Sequence, residues 1–152
     1  MKLPSHWAVR TLLGLLVMAL PSLAQAGKYN DVLNIGDAAP AWSDLPGVDG
    51  KTHSLADLAG KDVVVVIFTC NSCPIAVDYE DRIIALARKH SAADSKVAVV
   101  AINVNTIEAD KLPKMRERAE LKGFTFPYLY DESQKIGRAY GATFTPEFFV
   151  LN

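Results

Sequence analysis

Residues 63–74, from Val63 to Pro74, read VVVVIFTCNSCP, and this stretch decides the fold. An unbroken apolar run rich in β-branched residues, too short for a buried helix, reads as a strand. It runs directly into Cys70-Asn71-Ser72-Cys73-Pro74, and a helical pattern follows at once, with Ile75, Tyr79, Ile83 and Leu86 or Ala87 on one side. The segment is a strand that delivers two thiols to the start of a helix. Cys70 and Cys73 are the only cysteines in the 152-residue sequence, so any cysteine chemistry is theirs.

The first strand lacks polar alternation, which predicts burial on both faces, as in a parallel sheet covered by helices. Residues 96–104, KVAVVAINV, repeat that signature. With the helix from Cys73 to about His90 between them, the two strands form a right-handed βαβ unit. Asp110 to Lys122 carries a helical pattern with Pro113 near its start and Gly123 just past its end. Phe126 to Tyr130 reads as a short extended segment. Asp131 is the expected N-cap of a helix over Glu132 to Tyr140 that stops at Gly141, and Phe148 to Leu151 starts another apolar strand.

Upstream, Gly27 to Ala41 is an extended lead-in without a core element. Trp42–Leu45 and Lys51–His53 flank Pro46, Gly47 and Asp49-Gly50, which favours a hairpin. Ser54 with Asp57 suits a capped single turn ended by Gly60. On the first long helix, Asp78, Glu80, Arg82 and Arg88 read as a solvated face with an Asp78–Arg82 pair. His53 reads as a turn or surface residue, and His90 suits the dipole at a helix end.

Half of the residues are apolar, enough for one cross-link-free domain. Residues 1–26 stand apart: Lys2 and Arg10 bracket a charged start, Leu12 to Leu20 is a short apolar block, and Ala24-Gln25-Ala26 offers a cleavage site. This predicts a signal peptide over 1–26 and a mature domain over 27–152 in a periplasmic or other extracytoplasmic compartment. A membrane anchor is the competing reading, but the block is shorter than the roughly 20 residues that span a bilayer. Removing Lys2 and Arg10 leaves 14 basic against 17 acidic residues, a charge of −3, which gives no reason to expect nucleic acid. An oxidising compartment is one in which a Cys-x-x-Cys pair can cycle.

A thiol between a strand end and a helix start lies among unpaired backbone N–H groups at the positive end of the helix dipole, which favours thiolate. Cys70, ahead of the helix, is expected to be the exposed nucleophile, and Cys73, one turn in, the shielded resolving thiol. Pro74 fits the first helical turn. A structural disulfide across so short a loop would stabilise little. A zinc site would need two further Cys or His ligands, and only His53 and His90 remain after Ala26, so neither metal nor other cofactor is expected.

Phe68-Thr69-Cys70-Asn71-Ser72-Cys73-Pro74, followed some seventy residues later by Thr145-Pro146 before an apolar strand, resembles the thioredoxin-like superfamily. Gly36-Asp37-Ala38-Ala39-Pro40, Asp49-Gly50-Lys51 with Ser54-Leu55, Phe126 to Asp131 and Ala139 to Ala142 resemble its exported redoxin branch. That branch includes TlpA-type thiol-disulfide oxidoreductases and shares a domain with the alkyl hydroperoxide reductase and thiol-specific antioxidant group. The resemblance spans about Ile35 to Asn152. It implies an α/β thioredoxin-like fold with a central mixed sheet and helices on both faces. It also implies a redox-active Cys70–Cys73 couple, and a cis Pro146 facing the cysteines, with Thr145 offering backbone hydrogen bonds to a substrate peptide. The family continues beyond the match with an antiparallel strand and a covering helix. The chain is then either a fragment, or a domain with an uncovered strand edge and apolar face. Two departures are Thr69 where thioredoxins often carry an aromatic residue, and the Asn71-Ser72 dipeptide, which leaves the direction of electron flow open.

The activity implied is thiol-disulfide exchange with protein substrates, re-poised by an upstream redox partner. A peroxiredoxin-type peroxidase is the alternative. Its pattern of Pro, and of Thr three residues before the reactive cysteine, is missing, since Ile67 and Cys70 hold the positions three before Cys70 and Cys73. A copper-binding chaperone of the same fold is a third reading. It would require Cys-x-x-x-Cys-Pro and a distant histidine, and no histidine follows His90.

Overall fold

The computed structural model describes residues 30–152. The signal peptide expected over 1–26, and Gly27 to Tyr29 of the mature domain, lie outside the described residues. Four strands form the central sheet: β3 (Val63–Phe68), β4 (Val97–Asn103), β5 (Tyr128–Tyr130) and β6 (Glu147–Leu151), ordered β5-β4-β3-β6. Before them, β1 (Leu45–Pro46) and β2 (Thr52–His53) form the expected hairpin. β3, β4 and β5 run parallel, with Val63 opposite Val97 and Ala101 opposite Tyr128, whereas β6 lies antiparallel to β3, with Phe68 opposite Glu147. The sheet is mixed, as the family resemblance implies.

Three helices connect the strands: α1 (Pro74–Lys89), α2 (Leu112–Lys122) and α3 (Lys135–Tyr140). Because strand side chains alternate, β3 feeds two cores. On one face Val65 and Ile67 pack with Ile83, Ile84 and Ala87 of α1 and Met115 and Ala119 of α2. On the other face Val64, Val66 and Phe68 pack with Tyr140 of α3 and Trp42, while Leu33, Leu45, Leu55 and Leu58 lie against them. Burying these side chains supplies the main favourable term of folding, about 1.5–3 kcal/mol for each fully buried large aliphatic or aromatic residue.

Local signals place the ends. Ser54 and Asp57 form a reciprocal capping box for the short turn Leu55–Leu58. Gly123 and Gly141 end α2 and α3 in the left-handed conformation. α3 begins later than expected, at Lys135, because Asp131 reaches across an intervening turn. Its carboxylate accepts from the amides of Ile136, at 2.7 Å, and Gly137, at 3.3 Å, so it caps the helix from outside. The lead-in is also more engaged than expected: Asn30 donates to the Tyr140 carbonyl at 2.8 Å, and Leu33 packs on the second core.

Three helix-face expectations are corrected. Ile75, read as part of the apolar stripe, is 61 % exposed, because the buried face of α1 runs through Ala76, Glu80, Ile83, Ile84 and Ala87 and leaves Ile75 to one side. Glu80, read as solvated, is buried, since Arg118 and Lys122 of α2 close over its carboxylate. Among the described residues Arg82 makes no ion pair with Asp78; its guanidinium sits 4.7 Å from the centre of the Tyr79 ring. His90 caps α1 as expected, and His53 contacts Asp49 at 3.1 Å in the hairpin turn.

Candidate active site

Three segments converge where β3 ends: the Cys70–Cys73 loop, the loop before β6, and the β4–α2 connection. Thr69 still belongs to the sheet through its amide bond to Ile102, at 3.0 Å, so Cys70 leaves the sheet from a fixed point. Cys73 is the N-cap of α1 and Pro74 its first residue, where the missing amide costs nothing.

Both cysteines are reduced. Thr145 touches both sulfurs. Its hydroxyl is 3.4 Å from Cys70 Sγ, and its carbonyl accepts from Cys73 Sγ at 3.4 Å. The Thr145–Pro146 peptide bond is cis. Glu147 holds the same loop: its carboxylate accepts from the amides of Thr143 at 2.8 Å and Phe144 at 3.1 Å. The structure therefore brings Cys70, Cys73 and Thr145, with its neighbour Pro146, to one place.

The two thiols differ, and in the opposite sense to the expectation. Cys70 is 2 % exposed, whereas Cys73 is partly open to solvent. The physical reason is the position of the helix start. α1 begins after the second cysteine, so Cys70 remains at the sheet end beneath the loop while Cys73 occupies the rim. The Cys73 thiol is held below its ordinary range, first by the Thr145 hydroxyl and then by the amides of Ala76 and Ile75, against the opposing effect of burial. As a thiol it donates to the Thr145 carbonyl.

Sequence reasoning missed Asp110. Read only as the beginning of a helix, it ends a short turn, Glu108–Asp110, and is fully buried. Its Oδ1 accepts from the amides of Asn71 at 2.6 Å and Ser72 at 3.1 Å; its Oδ2 accepts from Ser72 Oγ at 2.5 Å and Asn105 Nδ2 at 3.2 Å. Asn103 Nδ2 in turn donates to the Asp110 carbonyl at 2.9 Å. Asn71 is fixed at its other end, donating to the Ala109 carbonyl at 2.8 Å and accepting from Tyr128 Oη at 3.1 Å. Burial, with the Asp110 charge adding to it, pushes the Tyr128 phenol well above its ordinary range, so it remains a donor. The one sequence signal for this clamp was an acid just ahead of a Pro-started helix following a strand.

The model of the Redoxin family matches residues 34–152. A Mycobacterium tuberculosis protein assigned provisionally as a peroxiredoxin is 32 % identical over 114 residues, which cover 72 % of this chain and 65 % of that one. The chain thus spans about two thirds of the length of that relative. The thiol-disulfide oxidoreductase ResA of Geobacillus thermodenitrificans is 26 % identical over an alignment covering 100 % of this chain and 84 % of its own. Among solved structures, a thiol:disulfide interchange protein of the thioredoxin family from Chlorobium tepidum superposes with a TM-score of 0.62 at 27 % identity, covering 75 % of this chain and 79 % of the other. The fold is thioredoxin-like, and the chain belongs to the Redoxin family.

Proposed function

We propose that the protein is an exported thiol-disulfide oxidoreductase that cycles Cys70 and Cys73 between dithiol and disulfide against protein substrates. The observation that carries this reading is the shared contact of both sulfurs with Thr145 at the mouth of α1. Two reduced thiols in one site, one of them with stabilised thiolate, are what exchange through a mixed disulfide requires. The similarity to ResA supports the same reaction class. Thr145 and Pro146 form the surface against which a substrate peptide lies, and export rests on the character of residues 1–26. An upstream redox partner restores the starting state.

Titration of the protein against glutathione buffers tests this reading. The expected result is one two-electron transition, lost when either cysteine is replaced, and its midpoint sets the direction of electron flow. No Cys70–Cys73 disulfide at any poise would refute it. The provisionally assigned peroxiredoxin relative favours a second reading, a thiol-dependent peroxidase. Steady peroxide consumption that persists without a disulfide substrate would establish that reading instead.

A further inference from the structure

Asp110 is fully buried, and among the described residues no cation pairs with it. A buried charge without a counter-ion is costly to keep, whereas an asparagine at this position could accept from the same two backbone amides without that cost. What only an aspartate supplies is a negative charge beside the dithiol. We infer that Asp110 sets the direction of electron flow: it disfavours thiolate at Cys70, biases the couple toward its disulfide and makes the protein a reductant of substrate disulfides. This role rests on the dithiol reading above and deepens it.

Three donors of the loop between the cysteines point at the carboxylate. The amides of Asn71 and Ser72 reach Oδ1 at 2.6 and 3.1 Å, and Ser72 Oγ reaches Oδ2 at 2.5 Å. Asn105 Nδ2 adds a fourth at 3.2 Å, and Asn103 Nδ2 holds the Asp110 carbonyl at 2.9 Å, so the group is fixed from the β4 side as well. The first sulfur keeps little. Among the described residues Cys70 Sγ meets two hydroxyls, that of Thr145 at 3.4 Å and that of Ser72 at 4.0 Å. The Ser72 hydroxyl has one proton, and the shorter, charge-assisted contact directs it to Asp110. Charge acts in the same sense as the withdrawn donors. Ser72 Oγ touches both the carboxylate and the sulfur, and a like charge one hydroxyl away makes a thiolate harder to form.

Only the reduced form feels this effect. A disulfide carries neither charge nor proton, so whatever disfavours thiolate destabilises the dithiol alone. The reduced protein then yields its electrons more readily. Cys70 and Cys73 lose two protons and two electrons and join as a disulfide; the substrate S–S bond breaks, takes up both, and its sulfurs leave as two thiols. Asp110 makes no hydrogen bond to either sulfur and is a positioning residue, acting through Ser72 and the loop.

Equilibration with glutathione buffers at about pH 8, near the ordinary thiol range, reads the couple directly. Asp110→Asn keeps the shape and the Oδ1 acceptor and removes the charge. It is expected to shift the equilibrium toward the dithiol about tenfold, or about 30 mV for two electrons. An unchanged equilibrium, or a shift toward the disulfide, would overturn the role. Urea unfolding of both redox forms separates a merely structural contribution, which would weaken the two forms equally and leave the equilibrium in place. The proposed role weakens the oxidised form more than the reduced one. Should Asp110→Asn not fold, Ser72→Ala decides. Because that hydroxyl serves Asp110, its removal is expected to leave the equilibrium within about twofold, and a larger shift in either direction would assign the hydroxyl to Cys70 and sink the proposal. The unmutated protein is expected to titrate on the reducing side of protein disulfide isomerase run in parallel, and a midpoint on its oxidising side would overturn the reductant role. If the unmutated protein forms no Cys70–Cys73 disulfide at any poise, the dithiol reading itself fails. If the disulfide forms and Asp110→Asn is silent, the role of Asp110 fails alone.

Discussion

Asp110 Oδ1 lies 2.6 Å from the amide nitrogen of Asn71, so a buried carboxylate from the β4–α2 connection closes on the peptide between the two cysteines. Asp110→Ala leaves the amides of Asn71 and Ser72 without their acceptor, and an unsatisfied polar group costs about 1–3 kcal/mol where water cannot replace the partner. Both residues are near the surface, so the expected loss of stability is about 3 kcal/mol in total. Urea unfolding is expected to show a lower midpoint with an unchanged slope. Ser72→Ala, which removes only the hydroxyl contact, is expected to cost about 1 kcal/mol.

Glu80 and Arg118 make a two-point ion pair, with both N–O distances at 2.7 Å. The partners are unequally exposed: Glu80 is 5 % exposed at the side chain and Arg118 24 %, with Lys122 3.3 Å away on the other side. Removing the cation strands the more deeply buried charge. Arg118→Ala is therefore expected to destabilise more than Glu80→Gln, by about 3 kcal/mol against about 1–2 kcal/mol. Denaturant unfolding of the two variants checks the order, and comparable losses would contradict it.

The lowered Cys73 thiol sets a pH dependence. A group whose ionisation is made easier by folding contributes stability that is present above its unfolded pKa and lost as pH falls through its folded one. Reduced protein is thus expected to gain stability relative to Cys73→Ala as pH rises through the window just below the ordinary thiol range. Iodoacetamide labelling of Cys73 should follow the same shifted titration. Thr145→Val removes the largest favourable contribution and is expected to move that titration upward. The ionisable group that acts on the Cys73 thiol is Cys70, so profiles recorded with Cys70→Ala identify its part.

Gly141 ends α3 at φ +67°, and a Cβ there would meet Asn30 Oδ1 at 2.5 Å and Val32 Cβ at 2.8 Å. Gly141→Ala combines left-handed strain, about 1–2 kcal/mol, with displacement of the lead-in segment from Tyr140. Gly50, at φ +79°, has open space around it. Gly50→Ala is expected to cost only the conformational part, about 1–2 kcal/mol. Thermal unfolding of the pair separates strain from close approach.

The βαβ unit, the hairpin and the helix ends were legible because they depend on local chemistry: β-branched runs, Asp49-Gly50, and Gly123 and Gly141 after helices. The meeting of Thr145 with the cysteines was implied by family resemblance rather than by spacing. What escaped was decided by neighbours distant in sequence. Glu80 is buried because Arg118 and Lys122 come from another helix. Ile75 is exposed because the buried face of α1 passes through Ala76 and Glu80 instead, a choice made once Arg118 and Lys122 cover the Glu80 carboxylate. Asp110 was invisible as a site residue because its partners are backbone amides, which leave no mark on the sequence. The exposure of the thiols hinged on whether α1 starts before or after Cys73, a boundary that pattern places only within a few residues.

The clamp has one consequence for recognition. With Asn71 and Ser72 tied to Asp110, Ala109 and Tyr128, the loop between the sulfurs is anchored independently of whether those sulfurs are joined. A partner that discriminates the oxidised from the reduced protein must then read the rim itself, the sulfur of Cys73 and the lip formed by Thr145, rather than a change in the shape of the peptide beneath.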